Sequence, residues 1–265
     1  MTASTALRLA LFAAGLAAVA GVAALVGRAS GIDVDDEPAA LPHGEEAEAH
    51  KTAPAGLSLA QDGYRLLPAR EALVAGRSQP YVFRILGPDG TVVRDFDVEH
   101  ERRLHLIVAA RSPNTQFLHL HPRQRADGAW TTPLRLPVNG SYRVFADFTT
   151  GGARRTLGVD LAGYDGPDLA AEPRSHYDVS VAQRGERFEF TVRDGGSPVR
   201  VERYLGAGGH LVVLREGDLA YIHAHAEEDE LAFDVPFPGP GRYRLYLQFK
   251  VGGAVQTAQF TRVVS

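Results

Sequence analysis

The chain has 265 residues, enough for two domains of ordinary size after an N-terminal segment. Its formal net charge is −4 and it has no long basic run, which excludes a nucleic-acid groove. It has no cysteine, and its single methionine is Met1. Disulfides, thiolate sites, cysteine nucleophiles and thioether ligands are therefore excluded, and any metal must be held by imidazole and carboxylate.

The first predicted element is the uncharged, apolar run from Leu9 to Gly27, flanked by Arg8 and Arg28. Its length is about the 20 residues that a bilayer-spanning helix needs. A cleaved signal peptide has a shorter apolar core and a small-residue cleavage site, where this chain has Arg28. Residues 1–28 are thus read as an uncleaved signal anchor and single-pass transmembrane helix. The basic N-terminal tail would be cytoplasmic and the bulk of the chain extracytoplasmic, in the cell membrane. Residues 29–56 follow as an acidic, disordered linker that includes Asp33, Asp35, Asp36, Glu45, Glu46 and Glu48. His43 and His50 lie within it and read as part of a solvated spacer rather than as a metal-collecting tail.

The rest reads as all-β, with short strands, abundant Gly and Pro, and no helical periodicity. It is also one motif written twice. His105-Leu-Ile-Val precedes His119-Leu-His121, and His210-Leu-Val-Val precedes His223-Ala-His225. Gly140-Ser-Tyr142-Arg143 and Gly241-Arg-Tyr243-Arg244 follow, and each runs into an apolar strand. A tyrosine after a glycine at the entrance to a late strand resembles the tyrosine corner of immunoglobulin-like sandwiches. The expectation is two tandem immunoglobulin-like β-sandwich domains, residues 57–161 and 174–265, joined by the linker-like stretch from Gly163 to Pro173. A closed β-barrel is the alternative. Trp130, Phe145, Phe148, Tyr246 and Phe249 read as core or cross-strand packing. Arg143 and Arg244 read as solvated or paired surface charges, and Ser141 and Asp147 as ordinary strand residues.

Residues i and i+2 of a strand share a face, so His119 and His121 point together, about 7 Å apart, with Leu118 and Leu120 opposite. His223 and His225 do the same, with Ile222 and Ala224 opposite. A hairpin would bring His105 and His210 each beside its pair. Imidazole is the commonest side-chain ligand for borderline transition metals. The predicted ligands are His105, His119 and His121, with His100 as a fourth in the first repeat, and His210, His223 and His225 in the second. Glu99 or Glu101, and Glu227, Glu228 or Asp229, are the acidic candidates beside them. The competing reading is a set of polar, outward residues on half-exposed strands.

These segments (His100-Glu-x-x-Leu-His-Leu-Ile-Val, Phe117-Leu-His-Leu-His-Pro122, and Leu205 through His225) resemble a family of bacterial membrane-anchored secreted proteins, mostly hypothetical or heavy-metal/copper-associated. The resemblance covers nearly everything after the linker. It implies metal association for His100, His105, His119, His121, His210, His223 and His225. Ala226, where a proline is expected, and a histidine-poor linker depart from the family pattern.

The leading expectation is a membrane-tethered, extracytoplasmic metal-binding protein that acts in sequestration or in handover to a transporter or another membrane protein. Copper(II) is the expected metal and zinc the second choice, because imidazole-only ligation suits both and the affinity order favours Cu(II). The alternative is a structural or protein-interaction module of tandem immunoglobulin-like domains with no metal. Three histidines would match the zinc ligands of carbonic anhydrase. No Ser–His–acid order, phosphate loop or paired carboxylates accompany them, and the chain reads as a non-enzyme.

Overall fold

The structure is a computed structural model that describes residues 54–111, 117–166, 175–226 and 230–265, with Phe12, Ala14, Gly15 and Ala17. The expected membrane helix, apart from those four residues, and the linker histidines His43 and His50 lie outside the described residues. So do Glu227, Glu228 and Asp229. Among the described residues, no helix is long and apolar enough to cross a membrane. Residues Ala53–Ser265 form one compact unit.

The unit is all-β and contains the motif twice. The first copy has β1 (Ala60–Gln61), β2 (Tyr64–Pro68), β3 (Ala72–Val74), β4 (Gln79–Leu86), β5 (His105–Ala110), β6 (Phe117–Leu120), β7 (Arg123–Gln124), β8 (Trp130–Leu134), β9 (Gly140–Thr150) and β10 (Ala153–Tyr164). The second has β11 (Asp178–Arg184), β12 (Arg187–Asp194), β13 (Ser197–Pro198), β14 (His210–Arg215), β15 (Tyr221–His225), β16 (Ala232–Asp234), β17 (Gly241–Val251) and β18 (Ala254–Val264). In the first copy one sheet is ordered β1-β2-β4-β8-β7 and the other β3-β10-β9-β5-β6. In the second, β11-β12-β13 with β16 on β12 faces β15-β14-β17-β18. Both copies therefore place their first, second and fifth main strands in one sheet and the other four in a second. This is the immunoglobulin-like arrangement, and it is open rather than barrel-closed.

Local chemistry explains the shape. Gly151-Gly152 and Gly252-Gly253, all at positive φ, close the long β9–β10 and β17–β18 hairpins as two-residue turns. Both tyrosine corners form: the Tyr142 hydroxyl donates to the Val138 carbonyl at 2.7 Å, and that of Tyr243 to Gly239 at 2.6 Å. Each sandwich has its own core. One is built on Tyr81, Phe83, Trp130 and Phe148, and the other on Phe188, Phe233, Tyr243 and Phe249.

A third core lies between the two sandwiches and joins Ile107, Ala109 and Phe145 of the first to Val212, Leu214, Tyr221 and Tyr246 of the second. The His-Leu-Ile-Val and His-Leu-Val-Val strands thus pack on both faces, and β5 is buried along its whole length. This explains why they are apolar without alternation. Phe145 stacks on Tyr221 with ring centroids 4.9 Å apart, and Phe117 stacks on Tyr246 at 4.3 Å. These contacts are equivalent under exchange of the copies, so the two sheets meet about an approximate two-fold axis.

The chain crosses this seam as it enters the first sandwich. The Ala55 carbonyl accepts from the Tyr221 amide of the second copy, and the Gly56 and Gly158 amides bond Thr156 and Ser58 within the first. A Cβ on Gly158 would fall 2.0 Å from the Gly56 carbonyl oxygen, so only glycine admits the segment there. Arg143 and Arg244, read as solvated or paired surface charges, are paired but buried, each 8% exposed. Arg143 pairs with Asp160 and donates to the Gly56 and Leu57 carbonyls, and Arg244 pairs with Glu216.

Candidate metal centre

The seven histidines named from the sequence converge at one end of the seam. In β5–β6, Ile107 lies opposite His119, which sets His105 beside both His119 and His121, with ring centroids at 5.1 and 5.2 Å. In β14–β15, His210 lies opposite His225 and Val212 opposite His223. In each triad, one ring nitrogen per histidine lies within 4.8 Å of the other two. Leu118 and Leu120 turn the other way onto the first core, and Ile222 and Ala224 onto the second. The triads are not on half-exposed outer faces, since the opposite sandwich covers them. His105, His210 and His223 are buried, and the other four are partly so.

His100 differs from the expectation that it completes the first set. It sits at φ +48°, with Glu101 at +63°, on a two-residue turn closed by paired hydrogen bonds between Glu99 and Arg102. This turn carries it across the seam, where its ring stacks on His225 at 3.6 Å and meets His210 edge-on at 5.8 Å. The second copy has the same turn between Tyr204 and Ala207, with Leu205 and Gly206 at its tip. A non-glycine residue in this conformation costs about 1 kcal/mol or more, and such strain is commonest at functional sites. Of the acidic candidates, Glu99 accepts from the Thr149 hydroxyl at 2.6 Å, and Glu101 is exposed.

Hydrogen bonds hold four of the seven rings, those of His105, His119, His210 and His223. His223 Nδ1 donates to Asp147 Oδ2 at 2.8 Å, and His119 Nδ1 donates to Gln248 Oε1 at 2.6 Å. In both cases the orienting residue belongs to the other sandwich. His210 Nε2 donates to the Tyr204 carbonyl at 3.1 Å. His119 Nε2 is left to accept from His105 Nδ1 at 2.8 Å. Five of the other ring nitrogens, His105 Nε2, His121 Nε2, His210 Nδ1, His223 Nε2 and His225 Nε2, are buried without a partner. A buried ring nitrogen with no hydrogen bond costs about 1–3 kcal/mol, and five together need an explanation. An imidazole held through one nitrogen to a carboxylate or carbonyl, with the other nitrogen bare, is the ordinary form of a metal-ligating histidine.

Electrostatics agree with this geometry. Burial is the largest effect on each ring and lowers its pKa. That of His105 falls to about 2, helped by its imidazole neighbours, and those of His119 and His210 to about 3. His121 falls to about 4, with Arg102 adding to the effect, and His100, His223 and His225 also move down. All seven rings are neutral at pH 7, which is the form that binds metal. Burial opposes the Asp147 carboxylate, but hydrogen bonds from His223 and a bidentate contact from Arg154 (3.0 and 2.7 Å) outweigh it and hold its pKa well below the usual value. The Tyr221 hydroxyl and Thr156 also donate to Asp147. A small cavity lined by Glu99, His100, Arg102, Arg154 and His225 reaches His105 and Asp147.

Asp147 and Gln248 were not singled out by sequence reasoning, which placed Asp147 among ordinary strand residues. A signal was present: each lies five residues after its corner tyrosine, the one polar residue in Val144-Phe-Ala-Asp-Phe148 and Leu245-Tyr-Leu-Gln-Phe249. The residues fit a transition metal with nitrogen ligands. The ligand nitrogens of each triad lie within 4.8 Å of one another, and an ion would draw them closer, to about 3.3 Å for bonds near 2.0–2.1 Å.

A family model described as "Domain of unknown function (DUF8832)" matches residues 59–162 and again 174–265. No curated protein matches the chain. Among solved structures, it is similar to a segment of two fibronectin type-III domains from chicken tenascin, at 10% identity and TM-score 0.23, over 76% of this chain and 97% of that one. It is also similar to the Escherichia coli adhesin FdeC, at 14% identity and TM-score 0.27, over 78% of this chain and 66% of that one. Similarity to Salmonella alpha-2-macroglobulin, at 13% identity and TM-score 0.28, covers 80% of this chain and 15% of that one. At these scores the likeness carries no argument, and the fold rests on the strand order above.

Proposed function

The chain belongs to the DUF8832 family, and we propose that it is a non-enzymatic protein that binds a transition metal through the histidines of the seam. The observation that carries this reading is the set of five neutral imidazoles that each keep a buried nitrogen without a partner, three of them (His105, His210 and His223) fixed by a hydrogen bond through the other nitrogen. Copper(II) is the preferred ion and zinc the second. The donors are imidazole only, the chain has no cysteine and no methionine beyond Met1, and Cu(II) leads the affinity order for such sites. Bound there, the ion would be held by His105, His119 and His121 or by His210, His223 and His225. The apolar run from Leu9 to Gly27, between Arg8 and Arg28, supports a membrane-tethered protein with its sandwiches outside the cytoplasm, in sequestration or handover to a membrane partner.

Titration of the full chain with Cu(II) and with Zn(II), followed by metal analysis, tests the reading. Tight binding that disappears in a His119→Ala/His223→Ala double variant is the expected result. Retention of wild-type affinity by that variant would overturn it.

The tandem immunoglobulin-like architecture favours a second reading, a spacer or protein-binding module in which the histidines only pack. That reading expects no rise in melting temperature with either ion. The metal reading expects about 2.7 kcal/mol of stabilisation at a free-ion concentration 100 times Kd.

A further inference from the structure

We propose that the two triads form one paired centre, in which an ion at either triad suppresses binding at the other. The inference rests on the metal reading above and concerns how the two halves are coupled.

The first support is distance. Within the triads, ring centroids lie 4.3–5.7 Å apart. Across the seam His105 lies 5.2 Å from His223, His119 lies 5.6 Å from His223 and 5.8 Å from His210, and His105 lies 6.0 Å from His210. The gap between triads is scarcely larger than the gaps inside them. The second support is reciprocal construction. Gln248 of the second sandwich orients His119 of the first, and Asp147 of the first orients His223 of the second. Neither triad is complete without the other sandwich.

The third support is charge. The facing imidazoles are neutral, and among the described residues the carboxylate in contact with the triads is Asp147, which is matched by Arg154. The Arg102 guanidinium adds a further positive charge beside His121. Two divalent ions held this close in surroundings of low dielectric repel strongly. Screening by salt is weak at a buried site. The second ion therefore binds at least about 100-fold more weakly than the first, a modest share of the unscreened repulsion.

The test is a Zn(II) competition titration against a chelator on three full-length proteins: wild type, His105→Ala/His119→Ala/His121→Ala, and His210→Ala/His223→Ala/His225→Ala. Wild type should take one tight equivalent and a second at least 100-fold weaker, while each triple variant keeps one equivalent close to the first wild-type affinity. Two wild-type equivalents of equal affinity would overturn the pairing and leave the metal reading standing. So would loss of all binding in either triple variant with tight wild-type binding intact. No binding by wild type would overturn both. If the triple variants fail to fold, Gln248→Ala is the second probe. The tight equivalent should then pass to the second triad with its affinity unchanged, and the weak second equivalent should weaken by about a further 10–100-fold, although Gln248 lies in the other sandwich. An unchanged second equivalent would remove the reciprocal construction on which the pairing rests.

Discussion

The two sandwiches are copies of one design that differ where charge enters the seam. In the first, the polar position of the late strand is Asp147, and Arg154 grips it with two hydrogen bonds. In the second it is Gln248, whose amide reaches Thr257, and Val255 stands where the arginine would be. The turn before the first histidine carries His100 in one copy and Leu205 in the other, in the same left-handed conformation. The triads themselves are alike. The difference shows that the scaffold fixes the position of the histidines, while the residue behind each ring sets its electrostatics: His223 leans on an anion and His119 on a neutral carbonyl.

Acid should break both copies together and gives the largest effect. The unfolded chain's histidines titrate near 6.5, while burial holds His105 at about 2 and His210 at about 3. Below pH 6.5 the unfolded state takes up protons that the folded state refuses, so stability falls with falling pH until those lower values are reached. These two residues, 5% and 1% exposed, cost roughly 2 kcal/mol each by pH 5. Denaturant unfolding of chelator-treated protein at pH 7 and pH 5 measures this, and equal midpoints would refute it. Next comes Asp147→Ala, which leaves His223, Tyr221 and Arg154 without their shared acceptor. About 3 kcal/mol should be lost, the low end for a broken buried pair because the Arg154 side chain is 40% exposed. Gln248→Ala removes a neutral acceptor and should cost about 1 kcal/mol by the same assay. Equal losses from the two would erase the proposed difference between the copies. The smallest effect sharpens what they share. Tyr142→Phe and Tyr243→Phe should each cost about 0.5–1 kcal/mol, equally, with no change in metal affinity.

Much of this was legible in the sequence because it depends on local patterns. The period-two spacing of His119 and His121 gives a shared face, the Gly-x-Tyr segments give the corners, and double glycines give the hairpins. The sequence also brought forward the seven histidines that the fold gathers at one end of the seam. It could not show that the faces carrying them meet, because that depends on two surfaces separated by about a hundred residues. The apolar outward residues Ile107, Phe145, Val212 and Tyr246 were the trace of that contact. Read within a single sandwich, they are indistinguishable from core. The same gap hid Asp147 and placed His100 with the wrong triad, since both act across the seam.

Each half of the seam orients a histidine of the other, and Phe145 on Tyr221 mirrors Phe117 on Tyr246. Such a surface is self-complementary, which is the condition for a two-fold homodimer of a single domain. The tandem chain is that dimer made covalent. In a dimer of identical subunits every substitution appears twice, so an aspartate on one side brings an aspartate on the other. Joining the halves in one polypeptide lifts that restriction. Asp147 against Gln248 and His100 against Leu205 are asymmetries that a pair of identical subunits could not hold.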